Sequence, residues 1–117
     1  MTPDQYETGI STIRELVREA DRDPDGIDTV LYLDVVIGDT TQEARDKTAE
    51  FVEAYYPGEA TENGMVDGFV EHGAIGTPDR VREQITAFER AGVETFVVRF
   101  ATTNQRDQFQ RFATLLQ

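Results

Sequence analysis

Cysteine is absent from this sequence, which removes disulfides, thiolate metal sites and a thiol nucleophile together. Histidine occurs once, at His72, and a lone imidazole lacks the companions that a metal centre or a catalytic triad needs. It is expected at the surface. Lysine also occurs once, as Lys47, so arginine supplies ten of the eleven basic side chains. Long apolar runs are missing: nothing approaches the roughly 18 residues of a membrane span. The opening MTPDQYETG has neither the basic nor the apolar segment of a leader, so a cytoplasmic location is expected. No phosphate-binding loop, dinucleotide fingerprint or zinc spacing is present.

What is abundant is negative charge. The chain carries 23 Asp plus Glu against 11 Lys plus Arg, a formal charge of −12 over 117 residues. Such a balance repels nucleic acid phosphates and anionic membrane surfaces, so neither is expected as a partner. The acidic residues are spread along every expected helix as a solvated shell. That shell, poor in lysine, resembles the surface of salt-adapted proteins, where high ionic strength screens the self-repulsion. A halophilic protein is the expectation.

The length suits one domain. Thr2 to Ala20 reads as a helix: Thr2 and Gln5 form a capping box, and Ile10, Ile13, Leu16, Val17 and Ala20 share a face. A turn, DRDPDG, leads to a strand over Asp28 to Ile37, apolar at its centre except for Asp34. Thr40 to Tyr56 is a second helix, with Thr40 and Glu43 as a capping box and Ala44, Phe51, Val52 and Tyr55 on one side. Tyr55 and Tyr56 are expected to pack in and around the core. Residues 57–75, rich in glycine and acidic residues, read as irregular loop with at most one helical turn.

Gly76 to Phe100 is the most sharply written part. Thr77 caps a helix, Pro78 occupies its first position, and Asp79 puts negative charge at the positive dipole end. Val81, Ile85 and Phe88 form an apolar stripe, Gly92 stops the helix, and Thr95 to Phe100 is an apolar strand. A polar loop follows, then a closing helix lined by Phe109, Phe112, Ala113 and Leu116. Three parts result: helix-strand-helix over 1–56, loop over 57–75, helix-strand-helix over 76–117. Strands alternating with helices predict a parallel sheet, yet two strands leave too many unpaired edges for a complete fold.

These residues resemble the luciferase-like flavin- or deazaflavin-dependent oxidoreductases. Gly76-Thr77-Pro78-Asp79, Val81, Ile85, Ala91-Gly92-Val93 and the strand Phe96 to Phe100 are similar to the closing helix and strand of that family's barrel. The first helix, the Arg22-Asp23-Pro24 turn, the strand ending at Ile37 and Thr41-Gln42-Glu43-Ala44 resemble the unit before it. Where this chain has Asp21, the family usually has glycine. The resemblance implies an α/β fold, a partial (β/α)8 TIM-barrel-like unit with parallel strands, equivalent to the C-terminal part of a barrel. It further implies oxidoreductase or monooxygenase chemistry on a small-molecule substrate, with FMN or F420 as cofactor. About a third of a barrel is represented, so the expected partner is the chain itself or an N-terminal barrel partner chain.

In a barrel, loops after the strands face the active site, and the last of them with a helix N-terminus often hold a phosphate. Gly76, Thr77 and Arg99 are therefore the expected cofactor-binding residues, with Thr102, Thr103, Asn104 and Arg106 near Arg99. The bland reading of Thr77 is that it only caps its own helix. Arg99 and Asp34 are the charges inside apolar strands, and a structural ion pair between them is expected if the strands are neighbours. No catalytic residue is assigned. Two other readings stay open: a non-catalytic module that self-associates through strand edges, and a ferredoxin-like α+β domain with a further strand within 66–75.

Overall fold

The computed structural model describes residues 1–58 and 64–117. Among these, the order is α1 (Pro3–Glu19), a 3-10 turn (Pro24–Gly26), β1 (Leu31–Ile37), α2 (Thr41–Tyr55), α3 (Met65–His72), β2 (Ala74–Gly76), α4 (Pro78–Arg90), β3 (Phe96–Phe100) and α5 (Gln105–Leu115). The strands form one parallel sheet in the order β2-β1-β3. The two strands expected from the sequence are thus adjacent and run the same way, with Leu31 opposite Phe96 and Asp34 opposite Arg99. That parallel pairing excludes the ferredoxin-like alternative.

The stretch expected as loop, 57–75, is corrected by the structure. Its residues 59–63 lie outside the described residues, but Met65–His72 is a helix and Ala74–Gly76 a third strand. The short pairs Met65-Val66 and Phe69-Val70 are the i, i+1, i+4, i+5 positions of an amphipathic turn, and they pack on a core around Val36 and Ile75. Tertiary burial therefore overrides the glycine content. The strand needs only three residues because β1 supplies its ladder, from Val35–Ala74 to Ile37–Gly76.

Alternation along β1 builds two cores. Leu31, Leu33, Val35 and Ile37 point to one face, where Val81, Ile85 and Phe88 of α4, Tyr6 of α1 and Leu115 of α5 cover them. Tyr32, Asp34 and Val36 point to the other, where Ala44, Phe51 and Val52 of α2 and Val66 of α3 cover Val36. The crossover from β1 to β2 runs through α2 and α3 on one face; that from β2 to β3 runs through α4 on the other. Moving in opposite directions on opposite faces keeps both crossovers of the same hand.

Helix ends follow the sequence closely. Thr2 and Gln5 make the reciprocal capping box, and Thr77 Oγ1 accepts from the Arg80 N–H at 3.3 Å. At α2, Thr40 Oγ1 accepts from the Glu43 N–H, but the Glu43 carboxylate accepts from the Asp39 N–H, one residue earlier than a capping box requires. Gly92 stops α4 with φ 108°, the left-handed region that a side chain disfavours.

Three apolar faces are corrected. In α1 only Tyr6 is buried, tied by its hydroxyl to Thr29 Oγ1 at 3.0 Å, while Ile13 and Leu16 are 44% and 58% exposed. In α5, Phe109 and Leu116 face solvent and the buried side is Gln108 and Leu115. Tyr55 and Tyr56 are exposed rather than packed in the core, although the Tyr55 ring lies 4.5 Å from that of Phe51.

Candidate functional site

The α2/α3 face of the sheet carries the polar chemistry. Asp34 and Arg99 sit opposite each other on β1 and β3, with side chains on that face. Arg99 Nε donates to Asp34 Oδ1 at 2.5 Å, and Nη2 donates to Oδ2 at 3.2 Å. The expected ion pair is present and forked, the geometry in which a guanidinium holds a carboxylate most firmly. Three rings surround the guanidinium: its carbon lies 5.6, 5.3 and 5.7 Å from the centroids of Tyr32, Phe51 and Phe69. The bond to Asp34 raises the Arg99 pKa above its ordinary value, against burial, which lowers it. Arg99 is thus a charge already answered by one carboxylate and three aromatic faces.

Beside this pair an open cavity of about 330 Å³ lies between β1, α3 and the chain's first residue, lined by Met1, Tyr32, Asp34, Met65, Gly68, Phe69, His72 and Gly73. His72, expected at the surface, is half in and half out: its Nδ1 is buried without a hydrogen-bond partner, while Nε2 lies 3.9 Å from the Glu71 carboxylate. Gly73 lets α3 approach this closely. A Cβ there would stand 2.8 Å from both the Asp34 and the Phe69 carbonyl oxygens.

Gly76 and Thr77 lie elsewhere. Gly76 ends β2 opposite Ile37, while Arg99 is opposite Asp34 on the far edge of β1, so the three expected cofactor-binding residues do not form one cluster. The N-terminus of α4 is poorly furnished for a phosphate. Pro78 has no N–H, the Arg80 N–H is taken by Thr77, and the Asp79 carboxylate adds like charge. Thr102 is buried, and the Asn104 side chain caps α5 through the Asp107 N–H at 3.2 Å. By themselves, then, Gly76, Thr77 and Arg99 do not converge on one phosphate, and the α4 N-terminus keeps few free N–H groups for one.

Sequence reasoning missed Gln108. Its side chain is 1% exposed, with Nε2 donating to the Ile37 carbonyl at 2.8 Å and Oε1 accepting from the Ile37 N–H at 2.7 Å. β3 stops before it can pair with the end of β1, and Gln108 completes the ladder in its place. The only signal was a glutamine within an otherwise apolar-faced helix, which reads equally well as solvated.

The parallel α/β unit, with a forked ion pair and a cavity on one sheet face and outer strand edges that have no partner strand among the described residues, has the layout of a partial α/β barrel. The luciferase-like monooxygenase family model matches residues 1–95, and the chain belongs to that family. Among solved structures it is similar to a long-chain alkane monooxygenase, LadA, with a TM-score of 0.61 at 17% identity. That likeness shows the fold alone; it covers 97% of this chain and 33% of LadA, so the chain spans a third of the length of the enzyme it resembles. No curated protein matches in sequence. Among the described residues no helix is long and apolar enough to cross a membrane.

Proposed function

We propose that this chain acts as the C-terminal portion of a luciferase-like oxidoreductase, working on a small-molecule substrate with a flavin-type cofactor, FMN or F420. The observation that carries this reading is the family match over residues 1–95 on a chain whose described strands number three. In a (β/α)8 barrel the helices form the outer ring and the other sheet face lines the interior. Here α1, α4 and α5 cover one face, which we assign to the outside. The face of Tyr32, Asp34, Val97 and Arg99 is then the interior wall. α2 and α3 lie over its C-terminal half, at the end where barrels carry their active sites.

Within this reading the cofactor's anionic part is held by residues beyond the described ones, because Arg99 is already paired and the α4 N-terminus has neither the Pro78 nor the Arg80 N–H to offer. The partner is a polypeptide supplying the earlier strands, or a second copy of this chain. The test is titration with FMN and with F420. The isolated chain is expected to bind neither below micromolar concentration, and binding is expected to appear when a polypeptide carrying the preceding strands is added. Submicromolar binding by the chain alone would contradict the proposal.

A second reading, a non-catalytic module that associates through its strand edges, is favoured by β3, whose outer edge has no partner strand among the described residues. Light scattering separates the two: a self-assembled oligomer that never responds to cofactor or partner favours the module.

A further inference from the structure

Two helices keep in solvent part of the apolar stripe that their periodicity writes. On α1 the buried side chain is Tyr6, and Ile13 and Leu16 stand 44% and 58% exposed with Ala20 beside them. On α5 Gln108 and Leu115 turn inward, and Phe109 and Leu116 stand 64% and 63% exposed with Ala113 between them. Within each helix these residues follow the i, i+3, i+4 and i+7 spacing of one ridge, so they form two narrow apolar bands rather than scattered single exposures. The α5 band is anchored on the sheet: the Phe100 ring of β3 meets those of Phe109 and Phe112 edge to face at 6.4 and 5.7 Å.

The charges beside the two bands are of opposite sign. Residues 95–117 carry three arginines and one acid, a net +2, whereas residues 1–94 carry eight basic and 22 acidic side chains, a net −14. Arg106 lies three residues before Phe109, hence next to it on the helix surface, and Glu19 lies three residues after Leu16, with Glu15 on the same flank. Arg106, Glu15 and Glu19 make no ion pair among the described residues, while Arg111 on the other side of α5 is held by Asp39 and Asp107. Pairing α5 with α5 sets Arg106 against Arg106, and pairing α1 with α1 sets acid against acid. Pairing α1 with α5 answers both charges and covers both bands. We infer that this chain self-associates by packing α1 of one copy on α5 of a second copy, Ile13 and Leu16 against Phe109 and Leu116, with Glu15 and Glu19 facing Arg106. The inference goes beyond the oxidoreductase reading and differs from strand-edge pairing: it uses two helix faces and needs neither cofactor nor strand. Few side chains are covered and two copies of charge −12 repel at a distance, so the contact is weak, reversible and strengthened by salt.

The experiment is sedimentation velocity on the whole chain from about 10 μM to about 1 mM, in about 0.2 M and about 2 M KCl. Concentration-dependent self-association is expected, stronger at the higher salt. Leu16→Ser and Phe109→Ser, each checked for an unchanged urea midpoint, are each expected to weaken it at least tenfold, roughly the effect of one anchoring side chain. Leu116→Ser serves on α5 if Phe109→Ser is destabilised. An equimolar mixture of the α1 and α5 variants is expected to recover association to within about fivefold of wild type, because the intact α5 of one variant meets the intact α1 of the other. At the lower salt Arg106→Glu is expected to weaken association more than Arg82→Glu, which makes the same change in net charge on α4. A chain that stays monomeric throughout, association untouched by the serine variants, or a mixture no better than its components each overturn the inference. The first of these outcomes leaves both bands to a different polypeptide. The FMN and F420 titrations are read separately, so neither result decides the other.

Discussion

Gln108 holds the end of β1 as a short strand would, through one donor and one acceptor on the same amide. Replacing it by leucine keeps the volume, strands the buried Ile37 N–H and leaves the Ile37 carbonyl only the long 3.5 Å contact from Lys47 Nζ, at about 1–3 kcal/mol for each group that loses its partner. Gln108→Leu is therefore expected to lower stability by about 2–4 kcal/mol, read from the urea midpoint, whereas Gln110→Leu on the exposed side of the same helix costs less than about 1 kcal/mol. The Asp34–Arg99 pair was legible before the structure, because two charges inside two apolar strands have few other places to go. The role of Gln108 was not, since it depends on β3 ending where it does. His72 was read as a surface residue and its side chain is 40% exposed; the burial of its Nδ1 was not legible, because it is created by α3, a helix that its own composition hides.

Arg99 gives no handle on pH. Its pKa is raised, and a base with a raised folded-state pKa contributes stability that is complete below its unfolded pKa and lost only as pH rises through the folded value, far above neutrality. Glu43 does give one. Lys47, then the Asp39 N–H, hold its carboxyl below the ordinary value. The sign is that of a depressed acid: the contribution is present above the unfolded pKa of about 4.3 and is lost as pH falls through the folded value. Glu43→Gln is expected to flatten the acid limb of the unfolding midpoint in that window and to leave the midpoint at pH 9 less stable than wild type. An identical acid limb in both proteins would show that this carboxylate does not report on α2.

At the scale of elements, the helix starts were readable because caps are local: a hydroxyl, a proline and an acid within four residues need no tertiary contact to act. Thr77→Ala is expected to cost about 1 kcal/mol, with Thr77→Ser recovering most of it. If Thr77 also touched a cofactor in the assembled enzyme, the serine variant would bind cofactor normally and the alanine variant would lose more affinity than stability. The faces of α1 and α5 were less readable. Periodicity shows that a helix has an apolar side, and the neighbours choose which part of it is covered. In α5 the need to satisfy Ile37 turns Gln108 inward and leaves Phe109 and Leu116 in solvent. Gly73→Ala tests the packing of α3 on β1: a Cβ 2.8 Å from two carbonyl oxygens forces them apart. A loss of about 1–3 kcal/mol is expected, with exchange protection falling in α3 before α4.

At the scale of the whole molecule, the chain is a slab of 48 × 36 × 20 Å with a radius of gyration of 16.0 Å, against about 13–14 Å for a compact domain of this length. The flatness, the open edge of β3 and the exposed Ile13 and Leu16 of α1 belong together. In the barrel we propose, neighbouring units would cover these surfaces. The charge of −12 opposes compaction and association alike. The unfolding midpoint is expected to rise steadily from low salt to molar KCl, and any oligomer to gain population over the same range. A midpoint independent of salt would remove the halophilic reading.

The sequence alone determined where α1, α2 and α4 begin, the apolar strand β1 and the likeness to the end of a luciferase-like barrel, because caps, glycine stops and β-branched runs act within a few residues of themselves. Tertiary structure alone decided that residues 65–76 become a helix and a strand, that Gln108 rather than Phe109 turns inward, and that His72 meets a cavity beside Asp34. Each of those depends on burial against a partner far along the chain, and burial is a property of the assembled sheet that no local window of residues contains.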